Sequence, residues 1–180
     1  MKKVNIKSSK TIRNKVKELY YQAFPKEELI PWWLVKMMNR RKGADVSAYM
    51  DNDIFCGFTY TYTIDEMLFV FYFAVNDELR GKGYGSKILT MLKEENPEKT
   101  ITLNIEPLEE NAINIEQRRK RFSFYKKNGF YDTGYSVTDI GGDFTALSTR
   151  DDFDAETYRK LFRRLTLGLM RVDVKKRNIR

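Results

Sequence analysis

"NDELRGKGYGSKIL", from Asn76 to Leu89, decides how this chain is read. Gly81, Gly83 and Gly85 crowd into it, with Arg80 and Lys82 among them. Just before it, Met67–Val75 is apolar throughout, which suits a central strand covered on both faces. Just after it, Ser86 to Glu95 places Ile88, Leu89 and Leu92 at helical spacing, closed by Asn96-Pro97. A strand, a glycine-rich turn and a helix form a phosphate-binding unit. The first helical turn offers unpaired N–H groups and partial positive charge, and glycine lets the backbone approach an anion closely. The loop therefore reads as a cradle for a diphosphate, against the plainer reading of a packing turn. A Walker loop needs GxxxxGK followed by Ser or Thr, and that pattern is missing. A Rossmann fingerprint needs a third glycine where Ser86 stands.

Composition narrows the chemistry. The 180 residues are 42% hydrophobic and 32% charged, a globular balance suited to a single domain. There is no histidine and only one cysteine, Cys56, which removes the commonest general base and any Cys/His zinc cluster. No metal is expected, and acid–base work falls to Glu, Asp, Tyr, Lys, Cys56 or water. The opening "MKKVNIKSSK" lacks an apolar stretch, so no signal peptide is expected. Met67–Val75 is too short to span a bilayer, which takes about 20 residues. With a lone cysteine, the expectation is a soluble, cytoplasmic protein. Residues 159–180 hold nine basic residues against Asp173 alone, so they carry the whole net charge of +8.

Outward from the loop, the pattern predicts a short strand at Val4–Lys7 and a helix from Thr11 to Phe24, stopped by Pro25. A second helix is expected from Pro31 to Arg41. Val46–Met50 and Ile54–Ile64 alternate as strands around the turn Asp51-Asn52-Asp53, and Asp65-Glu66 turns into Met67. Farther on come a strand at Thr100–Glu106, a helix at Ile115–Lys127 and strands at Phe130–Thr138 and Phe144–Thr149. In the Ile115 helix, Ile115, Phe122 and Tyr125 are expected inward. A terminal amphipathic helix is expected from Asp154 to Met170, with Tyr158, Leu161, Phe162, Leu165 and Leu169 on one stripe.

"LRGKGYGSKIL" resembles the acetyl-CoA loop of the GNAT superfamily of N-acetyltransferases, through Arg80, Gly83 and Gly85. "FYKKNGF" matches the family's later motif through Tyr125, Gly129 and Phe130. The two motifs stand in order, with helix, strand and loop between them. The resemblance covers roughly residues 3–150. It implies an α+β fold with a mixed twisted sheet, antiparallel in its N-terminal half and parallel at the centre, with helices on both faces. Residues 1–150 would be the acetyltransferase domain and 151–180 a basic helical extension of it.

The resemblance also implies roles. Acetyl-CoA would be the cosubstrate, its pantetheine arm pairing with Phe73, Ala74 and Val75. Its pyrophosphate would lie on Gly81, Lys82, Gly83, Tyr84 and Gly85, with Arg80 adding charge and Ser86 at the helix start. Lys87 or Lys127 could reach the 3′-phosphate. A neutral amine would attack the thioester, with a backbone N–H near Val75 as donor to the carbonyl oxygen. Tyr125 matches the proton donor to the leaving thiolate; the rival reading makes it a core aromatic. Glu106, ending a strand in "LNIEP", is the candidate base, ahead of Glu66 and Glu28. Where many members carry Asn, seven residues before the tyrosine, this chain has Arg118; Asn111 or Asn114 could stand in. Cys56 reads as a core residue.

An acidic rim of Glu27, Glu28, Asp65, Glu66, Glu106, Glu109 and Glu110 would attract a cationic acceptor; ordinary surface charge is the plainer reading. Trp32 and Trp33 cannot both face inward on one helix. The basic tail is either a helix docked on the domain or on a second copy in a homodimer, or an arm for RNA or an acidic partner. The expected function is transfer of acetyl from acetyl-CoA to a primary amine of a small molecule or peptide. The alternatives are an inactive CoA-binding regulator and RNA or acidic-partner binding through the tail.

Overall fold

The structure of the chain, a computed structural model, describes all residues except 140, 167, 169, 170 and 178–180. It has the mixed α+β architecture expected, and it divides into two compact units. The first comprises Met1–Tyr62 and Val70–Pro97; the second comprises Thr63–Phe69 and Glu98–Arg180. Among the described residues no helix is long and apolar enough to cross a membrane.

In the first unit, β1 (Lys2–Asn5) pairs antiparallel with β2 (Ala44–Asp51), and β2 with β3 (Ile54–Ile64). Asn52 takes the left-handed turn between β2 and β3 at φ 53°. The next strand in the order is β4 (Met67–Val75). Helix α1 (Lys10–Ala23) starts where the Ser9 hydroxyl accepts the Ile12 N–H, and its Val16, Leu19 and Tyr20 are buried. Helix α2 (Trp32–Met38) begins after Pro31 and ends at Asn39, shorter at both ends than the pattern suggested. Asn39 turns inward, and its side-chain oxygen accepts the buried Val46 N–H. The tryptophan pair splits as helix geometry requires: Trp32 is 8% exposed and Trp33 64%. Cys56 is buried in β3. Helix α3 (Tyr84–Glu94) buries Ile88, Leu89 and Leu92.

Gly57 lets β3 and the end of β4 approach closely. A Cβ there would lie 2.3 Å from the Ala74 carbonyl oxygen and 3.1 Å from Val75 Cα, both backbone atoms. Gly57→Ala is expected to destabilise the protein by about 1–3 kcal/mol, the usual scale of overpacking. Urea unfolding measures this, and an unchanged midpoint would refute the close-approach argument.

In the second unit, β5 (Thr100–Ile105) lies beside the foot of β4, joined by the Thr100 N–H to the Glu66 carbonyl at 2.8 Å. The chain between β4 and β5 includes a helix, the kind of crossover that parallel neighbours need. After α4 (Ile115–Lys127), β6 (Tyr131–Asp139) and β7 (Gly142–Ser148) pair antiparallel, with β7 also against β5. Helix α5 (Ala155–Leu165) is capped by Asp154, whose carboxylate accepts the Glu156 and Thr157 N–H groups. It packs the Tyr158 and Phe162 rings on Phe69, at 5.5 and 5.1 Å.

The C-terminal region differs from its expected form. Helix α5 ends at Leu165, short of the expected Met170, because Gly168 at φ 76° returns its N–H to the Arg163 carbonyl. Leu169 and Met170 lie outside the described residues. The tail is not helical throughout: β8 (Asp173–Lys176) pairs antiparallel with β6 and buries Val174. Several tail cations are engaged locally. Arg159 reaches Glu156 and the Val174 carbonyl, Arg177 reaches Asp132, and Lys175 reaches Asp173. Among the described residues of this stretch, Leu161, Phe162, Leu165 and Val174 are buried within the second unit.

Candidate active site

The glycine loop belongs to the first unit. Asn76 anchors its start: the backbone N–H donates to the Cys56 carbonyl, and the side-chain amide donates to the Phe55 carbonyl. The Asn76 side-chain oxygen accepts the Glu78 N–H and opens a short 3-10 turn, Asp77–Leu79. Gly81 and Gly83 then adopt φ 75° and 82°, and nothing lies within 4 Å of where a Cβ on either would project. Gly83 is the N-cap of α3, with no side-chain cap, so the helix starts two residues earlier than its apolar spacing suggested. The first intrahelical bond from this end is Lys87 N–H to the Gly83 carbonyl. The N–H groups of Tyr84, Gly85 and Ser86 therefore precede the helical ladder.

The Lys82 N–H, expected in the cradle, turns back to the Leu79 carbonyl at 3.3 Å, and the Arg80 N–H turns to Asp77. These two residues offer charge through their side chains. The Arg80 guanidinium rests 2.7 Å from Asp77, a surface pair that water screens. Tyr84 donates its hydroxyl to Asp51, and the Lys87 ammonium stands 5.1 Å above its ring. Open left-handed glycines, a helix start and basic side chains suit the close approach of a diphosphate. At the end of β4, Ala74 is buried, while Phe73 and Val75 are half-buried.

The same unit holds "FPKEELIPWW". The Tyr20 hydroxyl both accepts the Ile30 N–H and donates to the Ile30 carbonyl, and the Tyr72 hydroxyl donates to the Glu28 carbonyl at 2.6 Å. Two tyrosines thus pin the segment between α1 and α2.

Tyr125 and Glu106 belong to the second unit. Tyr125 is the buried residue of α4; Ile115 and Phe122 are half-buried. Gly129, at φ 77°, ends the helix and returns Phe130, whose N–H bonds the Tyr125 carbonyl. The Phe124 and Phe130 rings flank the phenol at 5.3 and 5.6 Å. Burial pushes the phenol up to about 12, and the Arg121 charge opposes that rise. Among the described residues its hydroxyl has no hydrogen-bond partner.

Glu106 follows β5 and is enclosed by cations. Its Oε1 accepts Asn114 Nδ2 at 3.0 Å and meets Arg118 Nη2 at 3.2 Å, while Oε2 meets Arg121 Nη1 at 2.5 Å. Burial alone would raise its pKa; the Asn114 hydrogen bond and the Arg121 and Arg118 charges outweigh this and hold the carboxyl below its ordinary range. A carboxylate so stabilised is a weak proton acceptor. A lowered folded-state pKa contributes stability that is complete above the ordinary value of 4.5 and is lost as pH falls through the folded value. Glu106→Gln should therefore be less stable than the parent near neutrality, and the gap should close below pH 4.5. Urea unfolding across pH checks this; a constant gap would contradict it.

Sequence reasoning missed this network, although Asn114, Arg118, Arg121 and Tyr125 recur at helical spacing. The expected acidic rim is also partly neutralised. Besides Glu106, Glu110 pairs with Arg119 at 2.6 Å and Glu66 with Lys99 at 3.8 Å.

The acetyltransferase (GNAT) domain family matches residues 43–132, half of the chain. The chain belongs to the GNAT family of acetyltransferases. Among individual proteins, it is 38% identical over 66 residues to YjbC of Bacillus subtilis (strain 168), named as a candidate acetyltransferase. That match spans 37% of this chain and only 32% of YjbC. A GNAT-family protein from Bacteroides thetaiotaomicron is 26% identical, with a TM-score of 0.76 over 94% of this chain and 99% of that one. An aminoglycoside 6′-N-acetyltransferase solved with coenzyme A shares the fold, with a TM-score of 0.66 at 15% identity over 87% of this chain and 100% of that one.

Proposed function

We propose that the protein transfers an acetyl group from acetyl-CoA directly to a primary amine of a small molecule or peptide. The observation that carries this reading is the loop of open left-handed glycines at the start of α3, in a chain of the acetyltransferase family. The amides of Gly81, Gly83, Tyr84, Gly85 and Ser86 are assigned to the pyrophosphate, with Arg80 and Lys82 adding charge. The backbone of Phe73, Ala74 and Val75 is assigned to the pantetheine amides.

In the proposed reaction the amine nitrogen forms a bond to the thioester carbonyl carbon and the carbon–sulfur bond breaks. Tyr125 gives its proton to the departing sulfur. The amine's surplus proton leaves through water, because Glu106 is occupied by two arginines. Direct transfer is favoured over an acyl-cysteine because the Cys56 thiol is buried, and burial pushes its pKa up. Thiol release is the test, across polyamines, aminoglycosides, amino acids and peptide N-termini. Release that depends on an amine supports the proposal. Tight binding of acetyl-CoA with no release above background for any amine would point instead to a CoA-binding regulator.

A further inference from the structure

Helix α4 carries an electrostatic device on the face that ends at Tyr125. Residues four apart on a helix lie one above the other, so Arg121 sits one turn before Tyr125. Its guanidinium is fixed, since Nη1 holds Glu106 Oε2 at 2.5 Å. Glu106 is fixed in turn by Asn114 and Arg118, at 3.0 and 3.2 Å. Arg118 closes the network by donating Nε to Asn114 Oδ1 at 2.7 Å and Nη1 to the Pro107 carbonyl at 2.8 Å. Two guanidiniums share one carboxylate, which leaves one positive charge over. The groups packed on the phenol, Phe124 and Phe130, are uncharged. The charge that bears on the phenol is Arg121 on its own helix, and Arg121 is tied through Glu106 to Arg118.

We propose that Arg121 is a positioning residue whose charge eases proton donation by Tyr125, and that Glu106 holds and partly offsets that charge instead of acting as the base. The proposal rests on Tyr125 being the proton donor. The physical need is clear. A buried phenol holds its proton tightly, and a thiolate of pKa about 8.5 is a modest acceptor. When Tyr125 Oη passes its proton to sulfur, a phenolate remains until solvent reprotonates it. A fixed cation one turn away stabilises that phenolate where the surrounding rings leave little room for water.

The test places difluorotyrosine at position 125 alone and follows its 19F signal through a pH titration. Fluorination brings the phenol into an accessible range, and the readout needs no turnover. Arg121→Gln is expected to raise the midpoint by about half to one pH unit. Glu106→Gln should lower it, because Arg121 then acts uncompensated. Arg121→Lys keeps the charge and should stay near the parent. In the unfluorinated enzyme, the alkaline limb of kcat/KM for thiol release should move in the same directions. No shift, or shifts of one sign in both Gln variants, would overturn the proposal. So would loss of the acid limb of the pH profile in Glu106→Gln, which would make Glu106 the base. Full turnover by Tyr125→Phe would overturn it through its premise, whatever the fluorine signal shows.

Discussion

Tyr125→Phe is expected to lower turnover about 100-fold, the lower end of what a positioned general acid contributes, and to leave acetyl-CoA affinity within about twofold. The substitution removes one oxygen and keeps the ring that Phe124 and Phe130 pack against. The hydroxyl accepts or donates no hydrogen bond among the described residues, so its removal leaves no partner stranded. Stability near neutral pH should therefore change little, and the effect should fall on chemistry. One stability difference is expected in alkali. Burial raises the folded phenol to about 12, above its ordinary 10, so the parent loses stability as pH climbs between those values and the Phe variant does not. A drop in acetyl-CoA affinity with turnover intact would assign Tyr125 to packing or binding.

Gly83→Val should separate folding from binding in the other direction. The residue sits at φ 82° as the N-cap of α3, where a β-branched side chain is strained by roughly 1–2 kcal/mol. Nothing in the chain lies within 4 Å of the new Cβ, so the fold should survive. The side chain would fill the open space assigned to the diphosphate and displace its hydrogen bonds. Charge-assisted bonds are worth about 1.5–3 kcal/mol each, so the loss of acetyl-CoA affinity should be on the order of 100-fold. Unchanged affinity in a folded Gly83→Val protein would remove the loop from the binding site.

Much of the fold was legible because its strongest signals are local. The uninterrupted apolar run gave β4 its limits, and the Asn128-Gly129 stop gave α4 its end. The start of α3 was read two residues late because a glycine N-cap carries no capping side chain to announce it. Strand β8 was missed because Asp173–Lys176 has little apolar character; it exists through pairing with β6, which no local window contains. The end of α5 was misplaced by following Leu169, although Gly168 already marked the stop.

For the candidate site, the sequence pointed to the loop, Tyr125 and Glu106 as residues, but not to their surroundings. Glu106 reads as a base because it ends the strand expected to border the thioester; a solvated strand end is the plainer reading. Its capture by Arg118 and Arg121 is a tertiary fact, hinted at only by helical spacing along α4. The same holds for Lys82, whose N–H is taken by Leu79 once the turn forms.

Calorimetric titration of the whole chain with acetyl-CoA tests the central claim most directly. The account predicts saturable binding of one acetyl-CoA per chain, weakened on the order of 100-fold in Gly83→Val and retained in Tyr125→Phe. No heat of binding at millimolar acetyl-CoA would contradict it.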